Sequence, residues 1–381
     1  MIDTKLLRRK ILDEEFNNPN NQKIALKNAG KYTSGNTPSN SELASKGDVP
    51  YFKVSDMNTL GNEVKLSLTN LYLKGDYRGK VFPKNSIVFP KNGGAVLTNK
   101  RRLLAQDSVV DLNTGVFTAN ENTDPGYLYY YFTTIDFGKH YIGTTIPTIN
   151  NKIVEELQVY LPPLAEQQRI VARIKTMFEQ IDIIDRNQAQ LKYLAKCAKA
   201  KILDFQFNKS ELDRTLLGTI VTISGGGTPD KSNSRFWNGD IPWASVKDMK
   251  GDYIHSTKDT ITEAGLKSKS SIAVCEPGDL IVATRLVLGK SVMPNIRTSI
   301  NQDLKRLRPS NKITSKYLHY WFKANEEYFT SLGQGTTVLG IRLNDLKDAL
   351  IPLPPIAEQE RIVARVEALF EQIDVLLGGG G

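Results

Sequence analysis

The side chains best suited to hold a metal or move a proton are few and scattered. The three histidines, His140, His255 and His319, and the two cysteines, Cys197 and Cys275, stand far from one another in the chain. A zinc centre needs several ligands at short spacings, and a histidine base needs a neighbour to orient it, so the spacing argues against both metal and base. Asp230 follows Pro229, yet no Glu-x-Lys pair comes after it to complete the ligand set of a metal-dependent nuclease. An adenine-flipping N-P-P-Y motif and a glycine-rich cofactor loop are missing from the sequence. The stretch TRLVLGKS (284–291) ends like a phosphate-binding loop, but Thr284 stands where that motif has its first glycine. Pro294 falls where the following helix would form, so its N–H groups would not face a phosphate. SGGGTP (224–229) lacks the GxGxxG spacing and reads as a flexible turn. What remains is a set of polar and basic loop residues, and these need a frame.

A chain of 381 residues can bury two ordinary cores. Hydrophobic residues make up 40% and charged ones 24%, the mix of a soluble protein, and no apolar run approaches the ~18 residues that cross a bilayer. MIDTKLLRRKILDEEF places charges where a signal peptide needs an apolar stretch, and the two cysteines have no disulfide-like spacing. The expected setting is a reducing cytoplasm without a membrane partner. The net charge of +9 is spread, with +4 over 17–160 and +5 over 207–352. Two mildly basic bodies suit a nucleic-acid partner.

Those bodies are copies of one another. LPPLAEQQRIVARI (161–174) returns as LPPIAEQERIVARV (353–366). At nearly the same offset, SGNTP (34–38) meets GGGTP (225–229), VPYFKVSDM (49–57) meets IPWASVKDM (241–249), and FPKNSIVF (82–89) meets EPGDLIVA (276–283). AQD (105–107) then meets NQD (301–303), YLYYYF (127–132) meets YLHYWF (317–322), and GTT (143–145) meets GTT (335–337). A period this long is a duplicated domain with its connector, not a solenoid. Within each copy, short β-branched and aromatic runs edged by Gly and Pro read as strands. YLYYYFTTI and YLHYWFKAN read as helices whose aromatics pack into a core rather than stack on bases. Each copy is therefore a loop-rich α/β (α+β) body.

Pro162 and Pro163 suit the start of a helix, and about 40 residues without Pro or Gly follow. Ile174, Ile181, Gln188, Ala195 and Ile202 form one heptad row, and Met177, Ile184, Leu191, Ala198 and Phe205 the other. The pattern predicts a coiled-coil rod of roughly 60 Å. The second copy continues with Val366, Leu369, Ile373 and Leu376 but stops at Gly378. Its missing half is at the N-terminus, where RRKILDEEF (8–16) matches KAKILDFQF (199–207), so that Leu7 and Ile11 fall where Ala198 and Ile202 fall. The expected organisation is an N-terminal helix (1–16) completing the second spacer helix, a first globular domain (17–160), a central spacer helix (161–206), a second domain (207–352), a C-terminal spacer helix (353–377) and a glycine tail (378–381). The two domains are then related by pseudo-two-fold symmetry and separated by two long antiparallel coiled-coil helices.

On these residues the chain resembles the specificity (S) subunits of type I restriction-modification systems. The resemblance rests on the doubled LPPLAEQ helix start, on the GxTP stretches followed by VPYFKVSDM and IPWASVKDM, and on two variable halves each followed by a long helix. It implies two target-recognition domains that read the two parts of a split double-stranded DNA target, and a subunit that catalyses nothing itself. It also implies two methyltransferase (M) subunits and restriction (R) subunits as partners. S-adenosylmethionine, ATP and magnesium would belong to those partners, with no cofactor or metal in this chain. Alternatives are the recognition subunit of a methylation-only or type II-like complex, a scaffold that binds protein but not DNA, and a self-sufficient enzyme, which the absent motifs disfavour.

Base readout favours Arg, Lys, Asn and Gln presented from loops, and phosphates need cations. Candidates in the first domain are Lys91, Asn92, Asn99, Lys100, Arg101 and Arg102, with Arg285, Lys290, Asn295 and Arg297 in the second. Thr37, Tyr51 and Lys53, their counterparts Thr228, Trp243 and Lys247, and Thr144 and Thr336 of the GTT turns complete the set. Glu166, Arg169 and Arg173, repeated as Glu358, Arg361 and Arg365, are candidates for docking the M subunit, because one partner bound twice needs one surface twice.

Overall fold

A computed structural model describes residues 1–16, 23–75, 77–142, 146–208, 213–335 and 339–378. The chain forms two compact units, Ile2–Asn187 and Gln188–Gly381, the latter including Met1.

The first unit opens with helix α1 (Thr4–Phe16). Its sheet is built from β1 (Gly30–Ser34), β2 (Lys65–Leu66), β3 (Ile87–Pro90), β4 (Arg102–Leu104) and β5 (Thr114–Ala119), in the order β1-β5-β3-β4-β2. The β4/β2 pair is parallel and the others antiparallel. All four residues of β3 are buried, as a central strand covered on both faces requires. Side chains alternate between faces: Ile87 and Phe89 enter a core with Tyr127 and Phe132, whereas Val88 joins Phe52, Leu66 and Phe82 on the other side. Helix α2 (Pro125–Thr134) starts where Asp124 accepts the Tyr127 N–H at 2.9 Å, with Pro125 in its first turn.

Helix α3 (Leu164–Phe207) runs 44 residues without a break, from the first unit into the second. The second unit repeats the frame with β6 (Val221–Gly225), β7 (Tyr253–Ile254), β8 (Leu280–Ala283), β9 (Ser291–Pro294) and β10 (Leu304–Pro309), in the order β6-β10-β8-β9-β7. Here too the outermost pair, β7/β9, is parallel. Helix α4 (Ser315–Ala324) is capped by Thr314, and α5 (Ile356–Leu376) follows the second double proline. Because Ser291 opens a strand, the phosphate-loop lookalike has no helix after it.

Each unit clamps its sheet-facing helix with a segment of identical pattern, ILDxxF. In the first, α1 buries Leu12 and Phe16, and Phe16 meets the Tyr127 ring at 5.0 Å. In the second, the end of α3 buries Leu203 and Phe207, and Phe207 meets Tyr317 at the same 5.0 Å. Further along, Arg8 lies over Phe178 at 5.1 Å and bonds Asp182, just as Lys199 lies over Phe370 at 5.0 Å and bonds Asp374. The pairs Thr4 with Asp185 and Glu15 with Arg173 make α1 antiparallel to the first half of α3. The Lys199–Asp374 pair, with Leu203 and Val366 in one core, likewise sets α5 against the second half.

The heptad reading needs correction. Ile174 and Ile181 are buried, but the second row is displaced by one residue: Met177, Leu191 and Phe205 are exposed, and Phe178 turns inward. Ile184, Ile202, Leu7, Ile11, Leu369 and Ile373 are half-buried, Val366 is buried, and Leu376 is exposed. The inward face of α3 runs Gln167, Val171, Ile174, Phe178 and Ile181, alternating four and three apart, so the heptad seam is kept with its second row one residue on from Met177, and Ile170 adds a contact with the first unit's core.

The units differ beside the sheet. The second adds a four-stranded sheet centred on Trp237–Ala244, flanked by Asp259–Ile261 and, in parallel, by Thr298–Ile300, with Val274–Cys275 beyond. The first has there only the pairs Leu43–Ala44 with Tyr72–Leu73 and Tyr51–Phe52 with Val109–Val110 among the described residues.

Candidate nucleic-acid interface

In the first unit the turns at 34–37, 53–54, 91–92 and 111–113 converge at one end of the sheet. Lys91 Nζ donates to Ser34 Oγ at 2.7 Å, Asn92 to Asn113 at 3.2 Å, and the Leu112 N–H to Thr37 Oγ1 at 3.1 Å. Asp111 accepts the Val54 N–H at 3.2 Å. The GxTP glycine has a spatial reason here, since a Cβ on Gly35 would lie 2.1 Å from the Asp111 carbonyl oxygen. Gly226 repeats it, 1.8 Å from the Asn301 carbonyl. The motif fixes a loop against its strand and leaves the residues after it, Thr37 and Thr228, at the rim.

The second unit assembles the matching turns. Thr228 bonds Gln302, the Asn301 N–H reaches the Ala244 carbonyl, and Arg285 stands 3.9 Å from Asp303. Lys247 is exposed at the turn after Ala244. Asn295 and Arg297 belong to a different neighbourhood: Asn295 contacts His255 at 3.1 Å and Arg297 bonds Glu276 at 3.2 Å. Lys290 borders a cleft with Asp252 and Lys323.

Three candidates are structural instead. Arg101 is 3% exposed and donates to the carbonyls of Phe132 and Ile135 at 3.0 and 2.7 Å, with its guanidinium 4.2 Å from the Phe137 ring. Burial draws that guanidinium down to about 10. Tyr51 is 1% exposed, its strand pairing with Val109–Val110, and Trp243, 6% exposed, spends its indole N–H on the Gly227 carbonyl. Asn99, in a left-handed conformation with φ 52°, serves mainly to fasten Asp136, Phe137 and Arg101. Lys100 and Arg102 bond Asn58 and the Met57 carbonyl. Lys53 is exposed, while Thr144 and Thr336 lie outside the described residues.

Sequence reasoning missed Leu286, exposed at φ 68° beside Arg285. A strained, exposed apolar tip is a site where function is sought, and an apolar side chain can read a thymine methyl. It also missed Gln167 and Gln359. Both are buried. Gln167 accepts the Asp124 N–H at 2.8 Å and donates to the Asn122 and Pro162 carbonyls, and Gln359 does the same for Thr314, Lys312 and Pro354. They latch the helix start to the cap of α2 or α4, which gives the LPPLAEQ repeat a physical meaning.

Among the proposed docking residues, Glu166 with Arg169 and Glu358 with Arg361 form matching surface pairs, each bonded through both carboxylate oxygens. Arg173 instead holds Glu15 of α1, at 2.7 Å through Nε, and Arg365 is exposed. No group of three or more His, Cys, Asp or Glu could hold a metal among the described residues, and no helix is long and apolar enough to cross a membrane.

A duplicated frame with divergent rims, each copy latched to a repeated helix, defines a class of two-domain proteins built to present two different loop surfaces. The type I restriction modification DNA specificity domain matches residues 18–193 and again 211–376, and the chain belongs to that family. It is 33% identical to the EcoR124I/EcoR124II specificity subunit of Escherichia coli over 41% of this chain and 40% of that one. It is 30% identical to the MjaIX specificity subunit of Methanocaldococcus jannaschii over 40% of this chain and 36% of that one. The aligned segment thus spans well under half of either relative. The fold matches a chain from a study of complex assembly and conformational transition in a type I R-M system, with TM-score 0.74 and 22% identity over 94% of this chain and 92% of that one. It also matches the HsdS subunit of Thermoanaerobacter tengcongensis, with TM-score 0.60 and 21% identity over 95% and 92%.

Proposed function

We propose that the chain is the DNA-recognition subunit of a type I restriction-modification system. Each domain reads one half of a bipartite duplex target, and partner subunits carry out adenine methylation and restriction. The observation that carries this reading is the contrast within one fold: sheet order, clamp and latch are repeated at matching positions, while the loops at the rim differ. A repeated frame with different rims suits two different half-sites on one duplex. The rim residues left exposed for the task are Thr37, Lys53, Arg285 and Leu286. The repeated pairs Glu166–Arg169 and Glu358–Arg361 offer one surface twice, as docking of two copies of an M subunit needs. S-adenosylmethionine, ATP and magnesium would be bound by the partners.

Co-expression with the cognate methyltransferase subunit and mapping of methyladenine tests the reading. Methylation at a split sequence is expected, and exchange of residues 213–352 for another domain of the family should change only one half. Methylation by the purified chain without a partner would overturn it.

A further inference from the structure

The turn after the IPWASVKDM stretch forms a feature of the second unit that the recognition reading does not by itself explain. Residues 247–258 border a cleft of about 420 Å³, with Lys247, Lys250, Lys258 and His255 exposed around it. None of the three lysines forms an ion pair among the described residues. The carboxylate in the same wall, Asp248, is committed to the frame. One of its oxygens accepts the Ser245 N–H and Oγ–H at 2.8 and 2.9 Å, and the other accepts the Lys258 N–H at 2.8 Å. Asp248 thereby ties the two limbs of the turn together. The floor is fastened as well: β7 pairs with β9, the Asn295 N–H reaches the Ile254 carbonyl at 2.9 Å, and the Asn295 amide contacts His255.

The first unit has the brace with a different surround, Ser55 standing where the second unit has Lys247. Asp56, at the position of Asp248, accepts the Lys53 N–H at 2.7 Å. The turn that follows holds Glu63 and Lys65, with Glu63 folded onto the Gly61 N–H at 3.0 Å. Two further cations that reach this turn, Lys100 and Arg102, are bonded to Asn58 and to the Met57 carbonyl.

We propose that the 247–258 cleft is a phosphodiester-binding site that anchors the sugar-phosphate backbone of DNA to the second domain, without reading bases. Lysine suits this role as a compact, mobile point charge that neutralises phosphate with little geometric demand. Phosphate contacts fix the position of a protein on the duplex and carry no sequence information. The inference rests on the recognition reading above and adds an asymmetry to it, with one domain anchored and the other held by its rim. Each phosphate neutralised releases counterions and adds about 0.9 to the slope of log affinity against log salt.

The test uses the full chain assembled with its methyltransferase subunits and a duplex carrying the mapped target. The variant Lys247→Gln/Lys250→Gln/Lys258→Gln should lower the salt slope by about two to three and weaken binding at least tenfold near ~100 mM salt, with the methylated sequence unchanged. The matching triple Lys→Arg variant should keep the slope, which separates lost charge from lost folding. An unchanged slope in the Gln variant overturns the proposal, and so does an altered half-site, which would mean base reading. Absence of sequence preference in the wild-type complex would remove the recognition reading alone, since the slope on random duplex still judges the cleft.

Discussion

The two units share a sheet order, a clamp and a latch, yet residues at one sheet register have opposite fates. Val88 pairs with Arg102 and Val282 with Ser291, so Arg101 and Lys290 occupy equivalent positions just outside β4 and β9. Arg101 is sealed in the core against Phe137, whereas Lys290 borders an open cleft. The matched position on the sheet-facing helices also diverges, with a half-buried Tyr129 in the first copy and a buried His319 in the second. That histidine accepts from or donates to Ser291 at 2.9 Å and lies 3.2 Å from Asp252, off the axis of a straight hydrogen bond. A duplicated fold preserves what holds helices to sheet, and spends its freedom on what lines the remaining space. Basic character at a matched position therefore does not identify a surface.

The sharpest way to break the comparison is at the clamp. Phe16→Ala and Phe207→Ala each empty a buried aromatic site and should cost about 3–5 kcal/mol. Each should lower only its own unit's thermal transition, and deleting residues 1–16 should mimic Phe16→Ala; a single shared transition falling in both variants would contradict separate clamps. Next is the latch. Gln167→Leu and Gln359→Leu leave one buried N–H and two carbonyls without partners, and denaturant titration should show equal losses of about 1–3 kcal/mol. Clearly unequal losses would mean the latches are not equivalent. Arg101→Met should cost a similar ~1–3 kcal/mol by leaving the buried Ile135 carbonyl without its donor, while Lys290→Met should stay within ~0.5 kcal/mol. Equal effects would remove the register contrast.

The smallest effect concerns pH. Burial holds the His319 imidazole below its ordinary value, and the neighbouring His319 ring, aided by Lys323, holds Asp252 well below the usual carboxylate range. Both groups bind fewer protons folded than unfolded, so their stabilisation is present above the unfolded values and lost as pH falls. The first loss is expected just below about pH 6.5, where unfolded histidine titrates. His319→Gln should flatten that step in the second unit's transition alone, and an unchanged profile would show that another group is responsible.

Much of the frame was legible because it is written twice. Matching ILDEEF with ILDFQF picked out the two equivalent segments, though as parts of a spacer rather than as clamps on a core, and the double prolines marked where α3 and α5 begin. The helices YLYYYF and YLHYWF pack their rings inward, as their spacing implied. Heptad register was not legible. Met177 and Phe178 are adjacent apolar residues, and which one turns inward is decided by Tyr130, whose ring meets Phe178 edge-on at 5.6 Å. Of the site, the loops were legible and the side chains were not. Arg101, Tyr51 and Trp243 have the residue types of an interface, and only the carbonyls and strands around them show that they face inward. The alternation in IPW, with Ile241 and Trp243 in one cluster, was a usable signal for the tryptophan.

The clamp also orders events in time. Phe16 finds Tyr127, and Phe207 finds Tyr317, so each unit is a contiguous run of chain whose fastening residue is made before the sheet it fastens. At about 5–20 residues per second on the ribosome, the first unit would have on the order of ten seconds to close before its twin is complete. Two near-identical frames in one nascent chain invite exchange of strands between them, and sequential closure limits that mispairing by taking one frame out of reach before the other emerges.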